Sequence, residues 1–255
     1  MSPLNKEQAT QLVIEALAAL SEQPKHIRLE ILESSNWLDD LTIIPSQKLN
    51  ERLDDYFDWL NGNREENAGN LLEEIAYLLF ESFIGVGNIR SFQTHAPQFD
   101  LVIDGESKSW TLLLDYLHLP RSGRSMVIEC KNRKGKISDQ QFSRLCGIIQ
   151  NQFEDTSHLG VFISQSPATG FPVKGKKERA LRDARATQVL FHAKTNKYVV
   201  VIDHDDLVEI RNGINFAKIL EAKIREVEAS AGIALEFNEG WQEVSLPSHL
   251  AKYRD

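Results

Sequence analysis

The chain has 255 residues, 42% of them hydrophobic and 26% charged, with a net charge of -8 and a pI of about 5.5. This is globular composition with room for one large domain, or a core domain and a smaller one. It excludes a wholly basic nucleic-acid coat protein, so any contact with nucleic acid must use a local basic surface. The two cysteines, Cys130 and Cys146, form no CxxC pair, which argues against a disulfide framework or a zinc site of that kind. No apolar run approaches the roughly 20 residues that span a bilayer, and Met1-Ser2-Pro3-Leu4-Asn5-Lys6-Glu7 does not open a signal peptide. A cytoplasmic protein with no membrane contact is expected.

No internal repeat or low-complexity segment is present. Leu12, Val13, Ala16, Leu17 and Leu20 predict a helix over 5–21, and Leu49, Leu53, Tyr56, Phe57 and Leu60 another over 47–61, ended by Asn61-Gly62-Asn63. Residues 1–62 therefore read as an N-terminal helical region whose plainest role is packing. Residues 66–84 form a longer amphipathic helix carrying Leu71, Leu72, Ile75, Leu79 and Phe83, broken by Gly85-Val86-Gly87. Short strands are expected near 89–93, 99–103 and 125–131. The insert 109–117 is too apolar for a bare loop and reads as a short helix or hairpin.

Ser138 has the spacing of an N-cap, with Gln141 completing a capping box for a helix over 138–153. Leu159–Ile163 and Tyr198–Ile202 are continuous apolar runs, as in strands covered on both faces. A basic helix is expected over 174–187 and a further helix over 214–230. The sum is an α/β chain with a mixed central sheet flanked by helices. Its regions would be 1–62, a core over 63–233, and a tail over 234–255.

The chemistry concentrates on two strands. Residues two apart on a strand share a face, about 7 Å apart, so Glu129 and Lys131 of Ile128-Glu129-Cys130-Lys131-Asn132 project together, with Cys130 opposite. An acid and a base at the end of a buried strand are costly unless paired or used. Asp100, in Gln98-Phe99-Asp100-Leu101-Val102-Ile103, supplies a second carboxylate. Two carboxylates suit one or two magnesium ions, a hard cation that prefers oxygen ligands, and an adjacent ammonium suits the negative charge that develops on a scissile phosphate. Asp104 is the nearest competitor to Asp100, at the far end of its strand.

These segments and the helix before them resemble the PD-(D/E)xK nucleases, and most closely the Mrr-type restriction endonuclease domain. The resemblance extends through Ala68-Gly69-Asn70-Leu71-Leu72-Glu73-Glu74, where a glycine precedes a glutamate by four positions. It continues in Gly160-Val161-Phe162-Ile163-Ser164, in Phe171-Pro172-Val173-Lys174-Gly175-Lys176-Lys177-Glu178 and in Val201-Ile202-Asp203-His204-Asp205-Asp206-Leu207. It covers about residues 66–212. The sequence departs from the pattern at Pro97-Gln98-Phe99-Asp100, where two residues separate the proline from the aspartate.

The resemblance implies a restriction-endonuclease-like sandwich with Asp100 and Glu129 as metal ligands, Lys131 as the catalytic lysine and Glu73 as an accessory helix carboxylate. The implied cofactor is Mg²⁺ or Mn²⁺. Helical phase does not separate Glu73 from Glu74, because the two flank the apolar face on opposite sides; only the glycine spacing favours Glu73.

Arg133, Lys134 and Lys136 follow the site directly, and Lys174, Lys176, Lys177, Arg179, Arg182 and Arg185 lie further on. In an acidic chain such clusters suggest phosphate contacts, although a solvated helix face accounts equally well for 174–185. The glycine-rich stretches match no Walker loop. His95 lies near Asp100 in a loop, and Trp110 and Tyr116 fit packing better than base stacking. The expected function is a metal-dependent DNA endonuclease in restriction or anti-phage defence, acting as a homodimer or with a helicase, ATPase or other defence partner. The rival expectations are an RNA or repair nuclease, a non-catalytic nucleic-acid-binding subunit, and an effector gated by a partner through residues 1–62.

Overall fold

A computed structural model describes residues 47–62, 68–83, 85–91, 99–132, 135–171 and 181–235, with scattered positions between 5 and 27. Among the scattered positions, Gln8, Gln11, Leu12, Glu15, Ala16, Ala18 and Ala19 are helical, within the helix expected over 5–21. The rest of that expectation, and residues 236–255 of the tail expected over 234–255, lie outside the described residues.

From residue 47 the described elements run in order α1 (Gln47–Leu60), α2 (Ala68–Glu81), β1 (Asn88–Arg90), β2 (Leu101–Asp104), α3 (Lys108–Tyr116), β3 (Ser125–Lys131), α4 (Asp139–Gln152), β4 (Ser157–Ser164), α5 (Asp183–Thr195), β5 (Tyr198–Ile202), α6 (His204–Arg211) and α7 (Phe216–Leu235). The strands form one mixed sheet in the order β1-β2-β3-β4-β5. β1–β2 and β2–β3 are antiparallel, whereas β3–β4 and β4–β5 are parallel. The chain is thus α/β, as its apolar runs predict. Val161, Ile163, Val200 and Ile202 face one core while Phe162, Val199 and Val201 face the other, so both faces of these strands are covered.

The insert 109–117 is a helix rather than a hairpin. Ser107 caps α3 by accepting from the Trp110 N–H at 3.1 Å, and Trp110 is buried. The first core joins α1, α2, α3, α6 and α7 to the sheet; the second joins α4 and α5 to the opposite face. Leu49, Leu53 and Tyr56 of α1 lie in the first core beside Leu72, Ile75 and Leu79 of α2, so this helix shares the core of the sheet. Arg52 binds Glu74 on α2 at 2.8 Å, and Arg211 on α6 grips Asp54 at 2.6 and 2.8 Å. The Arg211 guanidinium holds the Asp54 carboxyl below its usual range.

Helix α4 is fixed at both ends. The Ser138 hydroxyl accepts from the Gln141 N–H, and the Gln141 side chain accepts from the Ser138 N–H, which completes the expected capping box. At the other end the buried Lys197 ammonium donates to the carbonyls of Ile149 (3.5 Å), Phe153 (3.4 Å) and Glu154, where a cation complements the helix dipole. Between the ends, Gly160 lets the helix close onto β4: a Cβ there would lie 2.3 Å from Ile149 Cδ1.

The basic helix expected over 174–187 differs from what is found. Residues 172–180 lie outside the described residues, and α5 begins only at Asp183, because Ala184, Val189 and Phe191 carry its buried stripe. No helix of the described residues is long and apolar enough to cross a membrane.

Leu53→Ala removes a fully buried side chain from the shared core and should destabilise the protein by about 2–5 kcal/mol. A denaturant titration followed by both tryptophan fluorescence and circular dichroism should show one coincident transition at lower midpoint. Two separated transitions would mean that α1 folds apart from the sheet.

Candidate functional site

The site is built where β2 and β3 meet. Leu101 pairs with Ile128 across the antiparallel ladder, and the Asp100 N–H donates to Ile128 O at 3.0 Å. Asp100 therefore stands beside the end of β3, where its Oδ2 accepts from the Cys130 N–H. Alternation does the rest. Ile128 belongs to the first core and Cys130 packs against it, while Val127 lies in the second core. Glu129 and Lys131 thus share the face covered by α4, as their spacing predicts.

Glu129 is 2% exposed. Its Oε1 receives two cations, the Lys131 ammonium and the Arg144 guanidinium, the latter reaching across from α4. Its Oε2 is buried and accepts no hydrogen bond among the described residues. Burial pushes the Glu129 carboxyl above its ordinary value, and Asp100 adds to the rise, against the pull of Lys131 and Arg144. The Cys130 thiol is raised well above its usual range by burial, with Asp100, Glu73 and Glu129 adding to the shift. A thiol held in its protonated form is a poor nucleophile.

The two glutamates that helical phase leaves equivalent have different surroundings. Glu74 turns to Arg52 on α1. The Glu73 carboxyl is raised by partial burial and then by Asp100, with Lys131 opposing. Glu73 therefore lies within electrostatic reach of Asp100 and Lys131. Asp104, the competitor to Asp100, is occupied at the far end of β2 by Arg90 and by Asn88 Nδ2 at 3.1 Å.

Among the described residues, no three His, Cys, Asp or Glu side chains converge as a ready metal cage. The carboxylates expected to share an ion are engaged instead with the Cys130 N–H, Lys131 and Arg144. The donor chemistry nonetheless fits a hard divalent ion: oxygen ligands only, one of them a buried carboxylate oxygen without a partner. Asn132 Oδ1 and Gln165 Oε1, beyond the ends of β3 and β4, are likewise buried acceptors without a hydrogen bond. This end of the sheet therefore carries more acceptors than the described residues satisfy.

Of the basic residues, Lys136 is exposed in the loop leaving β3, which Ile137 and Ala168 tie to the loop leaving β4. Arg133, Lys134, Lys174, Lys176, Lys177 and Arg179, with His95, lie outside the described residues. Arg185 departs from expectation. It is 6% exposed, donates to Gln188 (2.7 Å), Glu226 (2.9 Å) and Ser230 (2.7 Å), and stacks over Phe171 at 5.3 Å, so it is a core fastener and offers nothing to a phosphate. Trp110 is buried, which rules out base stacking.

Arg144 and Gln165 lie outside the quoted motifs. For Arg144 the available signal is its place on the flank of the apolar stripe Phe142-Leu145-Ile149, on the helix that follows the Glu-x-Lys strand. Compared with protein-family models, with curated proteins and with solved structures, the chain matches none.

The raised Glu129 carboxyl has a pH consequence. The folded protein keeps this proton at a pH where the unfolded chain, with its value near 4.5, has released it. Stability from this group is therefore present below pH 4.5 and lost as pH rises from there through the folded value. Glu129→Gln should flatten that part of a plot of urea midpoint against pH; a wild-type slope in the variant would mean that Glu129 titrates alike in both states.

Proposed function

We propose that this chain is a divalent-metal-dependent nuclease of the restriction-endonuclease-like kind, hydrolysing DNA. One observation carries the reading: a buried strand-end carboxylate, Glu129, shares its face with Lys131, lies beside Asp100, and keeps a second oxygen unpartnered. The order of elements supports it. The helix bearing Glu73, the Glu-x-Lys strand, and the strands at 157–164 and 198–202 all join one sheet or pack on it.

A bound Mg²⁺ or Mn²⁺ supplies Lewis acidity and a more acidic water. Asp100 and Glu129 would hold that ion, with Glu73 helping to orient it. Asp100 is prepositioned by the Cys130 N–H. Lys131 meets the negative charge that builds on the phosphate oxygens during attack. Lys136, with the basic residues on either side of the site in sequence, would grip the flanking backbone phosphates. Restriction or anti-phage defence is the context implied by the family resemblance, with a second copy or a helicase or ATPase as partner.

A second reading, a non-catalytic or partner-gated nucleic-acid-binding subunit, is favoured by the absence of a ready metal cage among the described residues.

The test is incubation of the protein with supercoiled plasmid, single-stranded DNA and RNA in Mg²⁺, Mn²⁺ or EDTA. Plasmid cutting that needs the metal is expected. Glu129→Ala, Asp100→Ala and Lys131→Ala should each lower the rate by about 10²–10³-fold, and Glu73→Ala by less. Metal-dependent binding without cutting would favour the second reading, and cutting that survives Glu129→Ala would move the active site elsewhere.

A further inference from the structure

Arg144 is the cation at this site that no motif contains. It stands on α4, 15 residues from Glu129, and its guanidinium shares Oε1 of that carboxylate with Lys131. One carboxylate oxygen thus receives two cations while the other, buried, receives none among the described residues. Lys131 sits two residues away on the same strand and is enough to counter one carboxylate. Arg144 keeps 39% of its side chain exposed, so the same group reaches both the buried carboxylate and the solvent where a substrate would lie.

Resting on the nuclease reading, we propose that Arg144 is an exchangeable phosphate-binding residue. In the free protein its guanidinium rests on Glu129 Oε1 beside the Lys131 ammonium. When an ion takes over the carboxylate oxygens, the guanidinium is released toward a backbone phosphate of duplex DNA, whose geometry it matches in bidentate fashion. Ion and arginine compete for Glu129, so ion binding and phosphate binding are coupled through one side chain. A guanidinium that only fastened α4 to β3 would keep its partner whether or not an ion was present.

The coupling is measurable without turnover. The full chain and its Arg144→Ala, Arg144→Gln and Arg144→Lys variants would be titrated with Ca²⁺ alone by calorimetry. They would then be titrated with a short DNA duplex over a range of salt, once in Ca²⁺ and once in EDTA, with urea midpoints confirming that each variant folds. Ca²⁺ should bind Arg144→Ala and Arg144→Gln about tenfold more tightly than wild type, the equivalent of about 1.4 kcal/mol. In Ca²⁺ the same variants should bind DNA about tenfold more weakly, with the salt slope reduced by about 0.9, one phosphate contact. In EDTA, where the guanidinium stays on Glu129, their DNA binding should match wild type. Arg144→Lys should restore the slope and part of the affinity.

Loss of DNA affinity that is equal in Ca²⁺ and EDTA, or absent in both, would overturn the exchange while leaving the nuclease reading intact. Wild-type protein that binds neither Ca²⁺ nor DNA would overturn both.

Discussion

The Glu129 side chain is 2% exposed at the end of a strand, and an ionised carboxylate there carries a desolvation penalty of several kcal/mol unless cations meet it. Lys131 and Arg144 meet it from two directions, one from the same strand and one from a helix on that face. Breaking such a buried pair costs about 3–5 kcal/mol, less here because both cations reach solvent. The carboxylate cannot leave its face, so the cations come to it. The helix that carries one of them must therefore lie close, and the Ile149 side chain fills the space a Cβ at Gly160 would take.

The rest of the fold holds that edge in register. The antiparallel pairing of β2 with β3 sets Asp100 beside the Cys130 N–H. On the opposite face α2 brings Glu73 near the same strand end, and α1 keeps Glu74 turned away through Arg52. The helix over 47–60 thus engages one of two adjacent glutamates, Glu74, through Arg52. The same helix is anchored in the core through Leu53 and Tyr56.

Much of this is legible in the sequence because the signals are periodic. Alternation places Glu129 and Lys131 on one face, the capping box at Ser138 opens α4, and continuous apolar runs identify β4 and β5. What escapes the sequence is decided by contacts between elements distant along the chain. Glu73 and Glu74 are equivalent on a helical wheel and differ only once Arg52 is in place. Arg144 looks like any solvated helix residue until α4 is laid across β3. Arg185 counts as one more basic residue in a cluster until Gln188, Glu226 and Ser230 close around it. Charge type is visible in a sequence, whereas its partner is a property of the packing.

The ammonium of Lys197 has a significance beyond capping. It sits 43 residues after Glu154, just before β5, and binds the carbonyl of Ile149 in the last turn of α4 and those of Phe153 and Glu154 just past its end, while Ser138 secures the first turn. The helix is a beam supported at both ends, with Arg144 partway along it. A beam held this way resists sliding by a turn, so the reach of Arg144 to the sheet edge is governed as much by its end supports as by its own rotamer. A substitution at Lys197, remote from the chemistry and touching no substrate, would be felt as a change of alignment at Glu129.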